Sequence, residues 1–219
     1  MNKKNRQRNF KIAITGAFGA LTVVLGLTGF GFIPIGTLSI TIMHIPVILT
    51  TLIAGLVPGM GVGFIFGLFS LIQNAMGGGN PFFLNPLISI LPRMLIAVFT
   101  YLVFTLLNKI PKFPKIISGC IASAFGTFAN TLFVMTGIYV FYHDLYMGLI
   151  RGTLGTLGFN VDNLSYIKGW CLVIGTTTIT NSVWEILVAV IITLAVLSGI
   201  FITEGRKSKL SRLQNDSED

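Results

Sequence analysis

Six long runs of apolar residues, nearly free of charge, make up most of the chain. A helix needs about 20 apolar residues to cross the hydrocarbon core of a bilayer. The runs are continuously apolar, whereas the strands of a membrane barrel alternate in polarity. The sequence therefore predicts an all-α integral membrane protein, a six-transmembrane-helix bundle. It forms a single membrane domain over 1–219, with helices at about 12–30, 39–56, 58–76, 86–108, 115–140 and 172–202 and a cytoplasmic tail over 203–219.

The charged residues lie mostly at the ends of these runs. Only 10% of the residues are charged, so the net charge of +8 does not indicate a soluble nucleic-acid-binding domain, and we expect no nucleic-acid partner. Basic residues favour the cytoplasmic side of a membrane protein. Twelve of the 15 basic residues fall on the side of both termini: Lys3, Lys4, Arg6, Arg8, Lys11, Lys109, Lys112, Lys115, Arg206, Lys207, Lys209 and Arg212. We expect both termini to be cytoplasmic in a multi-pass protein of a bacterial plasma membrane.

The longer connections then lie outside, after the first helix, between the third and fourth, and before the sixth. Loops longer than their connection requires are often functional, so a ligand is expected to enter from the exterior. The alternative is that these long outer loops have no function and simply tolerate insertions. The stretch "LIQNAMGGGNPFFLNPLISILPRM" (71–94) combines three glycines with Arg93 at its end. Our hypothesis is a lid above an anchoring arginine, and a flexible loop above a helix–helix ion pair is the alternative.

No catalytic signature is present in the sequence. The stretch "GIFITEGRKS" lacks the glycine spacing and the lysine of a Walker A motif, and there is no H-E-x-x-H, no G-x-S-x-G and no Cys/His cluster. Cys120 and Cys171 lie in or beside apolar runs, which favours packing roles over a disulfide or a metal site. The sequence predicts a protein that is not an enzyme and needs no cofactor or metal.

Three ionisable residues fall within the apolar runs: His44, Arg93 and Glu185. Charges are costly in lipid, so each is a candidate functional group. Arg93 can donate to a substrate carboxylate or phosphate, or it can form an internal pair with Glu185 that holds two helices together. The sequence leaves both open. His44 precedes Pro46 and is either a buried hydrogen-bonded residue or a ligand contact.

Neutral polar and aromatic residues accompany these charges. Asn181 and Glu185 are spaced i and i+4, which places them on one helical face. Neutral polar groups with aromatic side chains suit a small organic ligand better than an ion. The aromatic residues could instead form an interfacial belt. The candidate substrate-binding residues are Arg93, His44, Asn85, Asn80, Asn74, Asn181, Trp184, Glu185 and Tyr139, with Asn130, Phe82, Phe83 and Tyr142 as further polar and aromatic candidates.

The first helix carries two pairs of small residues in "AITGAFGA". Ala13 and Ala17 form one small-x-x-x-small pair, and Gly16 and Ala20 form the other. Such pairs let a second helix approach closely in a membrane. The second helix could belong to the same chain, which the sequence alone favours, or to another protein.

Several of these motifs together resemble the substrate-binding S components of energy-coupling factor (ECF) vitamin transporters. They are the small-residue first helix, "GTLSITIMHIPVILTTLIAGLVPGMGVGFIFGLFSLI", "NPLISILPRML" and "TNSVWE". The resemblance extends over nearly the whole chain. The "MHIP" and "NPLxSxLPR" segments are most similar to the pantothenate group, although riboflavin, folate and cobalamin binders share the scaffold.

The resemblance implies capture of a vitamin from outside by a six-helix protein, without ATP hydrolysis of its own. It also implies docking on a scaffold (T) subunit bound to two cytosolic ATPases. An A-x-x-x-A pair on the first helix contacts the scaffold in the family, and Ala13 and Ala17 match it, with Gly16 and Ala20 matching as small residues.

Two other functions are considered beside this one. A stand-alone secondary carrier would show paired broken helices in its two halves, and "GLVPGMGVG" has no clear counterpart in the second half. A structural membrane protein would bind no ligand, and a co-purifying vitamin would exclude it.

Overall fold

The described chain is almost entirely helical, with one short β-hairpin. The computed structural model describes residues 2–29, 31–35, 38–78, 81–145, 147–148 and 166–215. The α-helices are α1 (Lys3–Thr28), α2 (Ile45–Ala54), α3 (Leu56–Gln73), α4 (Pro86–Ser89), α5 (Leu91–Leu107), α6 (Lys115–Phe141), α7 (Tyr166–Thr177) and α8 (Val183–Asn215). Strands β1 (Phe32–Ile35) and β2 (Leu38–Thr41) pair antiparallel. Two π-helical segments, Asn74–Gly78 and Thr178–Ser182, and a 3-10 turn, Pro81–Leu84, connect the helices.

Five helical segments of the described chain are long and apolar enough to cross a bilayer. They are Lys3–Thr28, Leu56–Met76, Pro86–Leu107, Lys115–Phe141 and Tyr166–Thr203. Their neighbouring helices pack side by side: α5 lies between α3 and α6, and α6 also contacts α8. The described fold is therefore a bundle of long apolar helices, as the sequence predicts.

The helix predicted over 39–56 has a different structure. Residues 38–41 form β2, and only Ile45–Ala54 are helical, a length of about 15 Å at 1.5 Å per residue. That is about half the thickness of a hydrocarbon core. Pro46 lies in the first turn, which favours a helix start there, and Gly55 ends the helix with a φ of 97° that a residue with a Cβ rarely adopts.

The first and last helices extend beyond their predicted bounds. α1 begins at Lys3 instead of residue 12, and the side chain of Asn2 accepts a hydrogen bond from the Lys4 amide at its start. α8 continues to Asn215, into the segment predicted as a tail. The added residues are mostly Lys, Arg, Gln and Asn with some apolar ones, and the long polar side chains among them are good helix formers. Hydropathy alone therefore underestimates the lengths of both helices.

One face of α1 packs against α3, and another face is exposed. Gly19 and Gly26 are buried, against Ile65 and Phe69 of α3 respectively. The four small residues of the predicted close-approach pairs, Ala13, Gly16, Ala17 and Ala20, are all exposed. No atom of the described chain lies within 4 Å of a Cβ placed on Gly16. Within the described residues, these pairs therefore do not pack against another helix of the same chain, the contact that the sequence favoured.

Glycines of α3 bring it against the backbone of α4 and α5. A Cβ on Gly63 would lie 2.5 Å from the carbonyl oxygen of Arg93, and one on Gly67 would lie 2.5 Å from the Cα of Ile90. Real side chains cannot approach a backbone that closely, so only glycine fits at both positions. This contact fixes the start of α5, and with it the backbone of Arg93.

Buried hydroxyl pairs join α6 to the last helical segment. Ser182 donates to the hydroxyl of Thr131 at 2.7 Å, and Thr193 donates to the hydroxyl of Ser123 at 3.0 Å. All four side chains are at most 6% exposed. Hydrogen bonds of this kind hold helices together in an apolar environment. They keep the faces of α6 and α8 in register beside the cavity described below.

Replacement of Gly63 by alanine tests the close contact of α3 with α5. We expect Gly63→Ala to lower the thermal unfolding midpoint in detergent, because overpacking a tight contact costs about 1–3 kcal/mol. Gly16→Ala is the matched control: its added methyl group meets open space, and alanine favours a helix by about 0.5–1 kcal/mol over glycine. Equal midpoints for the two variants would contradict the packing described.

Candidate ligand-binding site

A cavity of about 400 Å³ lies among α3, α5, α6 and the α7–α8 segment, beside β2. That volume is within the range of small-molecule sites, about 300–1,000 Å³. Most of its lining is apolar or neutral polar, with one basic and one acidic side chain. The lining residues are Thr41, Met43, Phe66, Ser70, Gln73, Asn74, Phe83, Arg93, Asn130, Thr131, Val134, Met135, Thr177, Asn181 and Glu185.

Arg93 is the basic group of the cavity. The interruption of the helix before Pro92 positions its side chain there. Proline has no amide hydrogen, so the carbonyl of Ile88, four residues earlier, has no helical donor from Pro92. The Nη1 of Arg93 donates to that carbonyl at 2.7 Å. One end of the guanidinium is thereby fixed by the local backbone.

Two aromatic rings flank the same guanidinium. The Cζ of Arg93 lies 4.9 Å from the ring centroid of Phe83 and 5.4 Å from that of Phe66. Both distances are within the range of cation–π attraction. The side chain is 6% exposed, and its Nε has no hydrogen-bond partner within the described chain. Arg93 is therefore oriented by the protein but keeps an unused donor.

Glu185 is the acidic group of the cavity. It is 4% exposed, and its Oε1 accepts a hydrogen bond of 2.9 Å from the backbone amide of Thr41. The side-chain amide of Asn181 lies 3.5 Å from the same oxygen, as the i, i+4 spacing predicts. The contact with Thr41 ties the β-hairpin to α8.

Arg93 and Glu185 line one cavity without forming an ion pair. Within the residues that the structure describes, no nitrogen of Arg93 lies within 4.0 Å of a carboxylate oxygen of Glu185. The direct helix–helix pair that the sequence left open is therefore not present. A buried charge without an ion pair is costly, so the contacts with the Ile88 carbonyl and the Thr41 amide are what stabilise the two groups in the described chain.

Three asparagines contribute neutral polar groups. Asn74 donates to the carbonyl of Ser70 at 2.6 Å, whereas the side-chain oxygens of Asn130 and Asn181 are buried without a partner in the described chain. Asn74 and Asn181 each lie in a π-helical segment. Such segments are rare and frequently occur at functional sites. Both interruptions of the helices therefore coincide with the cavity.

Four other predicted site residues do not line the cavity. The side chain of Asn85 caps α4 and accepts from the Leu87 amide at 3.0 Å. Tyr139 donates to the carbonyl of Tyr166 at 2.9 Å, and Trp184 is 51% exposed. His44 is fully buried next to the backbone of Thr41, yet neither ring nitrogen makes a hydrogen bond of ordinary geometry with the described chain.

The remaining candidate residues also include some that line the cavity and some that do not. Phe83 and Asn130 line the cavity, whereas Phe82 and Tyr142 pack edge to face at 5.3 Å outside its lining. Asn80 lies outside the described residues. The contact between the two rings contributes to packing at the start of α4 and the end of α6.

Several lining residues were missed by the sequence interpretation. Ser70 and Thr177 lie four residues before Asn74 and Asn181, and Val134 lies four residues after Asn130. Residues four apart share a helical face, so this spacing could have found them. Thr41 and Gln73 had no comparable signal, because their place depends on the hairpin and on the end of α3.

Comparisons with known proteins agree with this architecture. Residues 10–197 match the family described as ECF transporter, substrate-specific component. The pantothenic acid transporter PanT of Lactococcus lactis subsp. cremoris (strain MG1363) is 28% identical over 209 residues, which cover 86% of this chain and 92% of that protein. The family is one of transporter components and not of enzymes. The chain is a multi-pass membrane protein with five long apolar helices among its described residues, and it belongs to the substrate-specific components of ECF transporters.

Proposed function

We propose that the chain is the high-affinity substrate-binding subunit of an ATP-driven vitamin importer and that its substrate is pantothenate. It captures the vitamin at an outward-facing site and delivers it together with a scaffold subunit and two ATPases. The observation that carries this proposal is the buried guanidinium of Arg93, which lines the cavity without an acidic partner within 4.0 Å in the described chain.

The chemistry of pantothenate matches this group. The molecule has one carboxylate, a central amide and a hydroxylated branched end. Guanidinium binds carboxylate through two parallel hydrogen bonds, and such charge-assisted bonds are roughly twice as strong as neutral ones. The cavity of about 400 Å³ can enclose a molecule of that size. The name of the Lactococcus relative points to the same substrate.

The proposed topology follows from the distribution of basic residues. Twelve of the 15 lie in three segments: the start of α1, the α5–α6 connection and the end of α8. With both termini cytoplasmic, the hairpin and the turn before α4 lie outside. In this arrangement α2, with the hairpin above its outer end, is the second of six membrane segments, and 1–219 is a single membrane domain. The cavity then faces the exterior.

Removal of the Arg93 charge tests the proposed carboxylate contact. We expect Arg93→Met to weaken pantothenate binding roughly 10- to 100-fold, because a hydrogen bond to a charged group contributes about 1.5–3 kcal/mol. Pantothenol, in which an alcohol replaces the carboxylate, should bind the wild type weakly and should lose little further affinity in the variant. Calorimetric titration of the purified chain in detergent measures all four affinities.

Thr193→Val is the control for this experiment, because it removes a buried hydroxyl contact of α8 that does not line the cavity. It should leave the preference for pantothenate over pantothenol unchanged. Equal loss of both ligands in Arg93→Met would assign Arg93 a structural role. No binding of pantothenate by the wild-type chain would refute the proposed substrate.

The exposed small residues of α1 are the proposed docking face for the scaffold subunit. Ala13, Gly16, Ala17 and Ala20 lie on one side of the helix, away from the glycines that pack against α3. Small side chains let a partner helix approach the backbone of α1. The vitamin cavity has no residue of α1 in its lining, so docking and binding are separable.

Enlargement of Gly16 tests this face. We expect Gly16→Leu to leave pantothenate binding by the isolated chain unchanged, since no described atom lies within 4 Å of the new Cβ. Uptake by cells that co-express the scaffold and the ATPases should fall strongly, together with co-purification of the scaffold. Gly175→Leu, which also meets open space, is the matched control on α7. Normal uptake by Gly16→Leu would refute docking through this face.

A further inference from the structure

The charged groups and the unpaired side-chain oxygens of the cavity come from different helices. Arg93, on α5, supplies hydrogen-bond donors only. From other helices, α6 and the α7–α8 segment supply the side-chain oxygens of Asn130 and Asn181 and the carboxylate of Glu185. We call Asn130, Asn181 and Glu185 the acceptor cluster. A ligand that fills the cavity therefore meets donors from α5 and acceptors from α6 and the α7–α8 segment.

The acceptor cluster is incompletely satisfied by the protein. The side-chain oxygens of Asn130 and Asn181 are buried without a partner in the described chain. Glu185 accepts from the Thr41 amide and lies near the Asn181 amide, but no cation of the described chain lies within 4.0 Å of it. Buried acceptors without donors are rare in native proteins because each costs free energy. A ligand with hydroxyl or N–H groups would satisfy them.

The fixed position of Glu185 also affects how the acceptor cluster meets a ligand with a second carboxylate. Its carboxylate is held by the backbone of β2, so it cannot turn away from the cavity without losing that hydrogen bond. A second carboxylate on the ligand would meet this charge in an apolar environment, where like charges repel strongly. Glu185 therefore disfavours dicarboxylates of the same length.

We propose that the acceptor cluster determines specificity: it binds hydroxyl or N–H donors at the end of the ligand opposite its carboxylate, and it excludes ligands with a second carboxylate. The substrate class is thus a monocarboxylate with a hydroxylated far end. This inference rests on the proposed function, in which Arg93 binds the carboxylate. In pantothenate the two hydroxyl groups are the donors that meet the cluster.

The test compares pantothenate with N-(3,3-dimethylbutanoyl)-β-alanine, which keeps the carboxylate and the amide but lacks both hydroxyls. Wild-type chain should prefer pantothenate by roughly tenfold or more, since each lost hydrogen bond leaves a buried acceptor unpaired. Glu185→Gln and Asn130→Leu should each reduce that preference severalfold, mainly by weakening pantothenate binding. Thr193→Val, outside the cavity, should keep the wild-type preference.

A dicarboxylate ligand provides a second test, in which a variant should gain affinity. Misfolding cannot produce such a gain. N-glutaryl-β-alanine carries a carboxylate at each end, and we expect Glu185→Gln to bind it severalfold more tightly than wild type does. If Glu185→Gln does not fold, Asn130→Leu still tests the hydroxyl contact, because its oxygen has no partner in the described chain to lose.

The outcomes separate this inference from the proposed function. If wild-type chain binds pantothenate but both variants keep the full preference over the deoxy analogue, the acceptor cluster does not determine specificity and the proposed function stands. If Glu185→Gln binds the dicarboxylate no better than wild type, the exclusion of a second carboxylate is wrong. If wild-type chain does not bind pantothenate at all, the proposed substrate fails and this inference fails with it.

Discussion

The guanidinium of Arg93 is held inside an apolar bundle by a carbonyl and two aromatic rings and not by a carboxylate. Pro92 leaves the Ile88 carbonyl without its helical donor, and Arg93 takes that acceptor at 2.7 Å. Phe66 and Phe83 contact the cation from α3 and from the 3-10 turn. The charge is thus positioned without a direct ion pair, and an ionisable residue inside a membrane protein is by default a candidate functional group.

The close contact between α3 and α5 makes this arrangement possible. Gly63 and Gly67 allow α3 to lie against the backbone at Ile90 and Arg93, which brings Phe66 to the guanidinium. On the other side of the cavity, the hydroxyl pair of Thr131 and Ser182 fixes α6 against the last helical segment. The cavity therefore has walls that are held by glycine contacts on one side and by hydrogen bonds on the other.

The β-hairpin is the part of the site that joins elements distant in sequence. The Thr41 amide donates to Glu185 across 144 residues, and Thr41 and Met43 both line the cavity. In the proposed topology the hairpin lies at the outer end of the bundle. A ligand bound by Glu185 would then contact a group that also holds the hairpin, so binding and the position of the hairpin would be linked.

Much of the fold could be predicted from hydropathy, because five long apolar helices depend only on length and composition. The short α2 could not, since 39–56 is mostly apolar and its division depends on hairpin pairing and on the φ of Gly55. Arg93 and Glu185 were predicted as candidates because charges in apolar runs are costly, and both line the cavity. Asn85 and Tyr139 do not line the cavity, and the sequence could not show this, because their side chains are used by a helix cap and by a backbone carbonyl that depend on the local fold.

The most direct test of the central claim is native mass spectrometry of the purified chain with an equimolar mixture of pantothenate, riboflavin, folate and cobalamin. The account predicts one bound molecule per chain, with the mass of pantothenate, at ligand concentrations where the other vitamins give no adduct. An adduct of another vitamin, or no adduct at saturating concentration of the mixture, would contradict it.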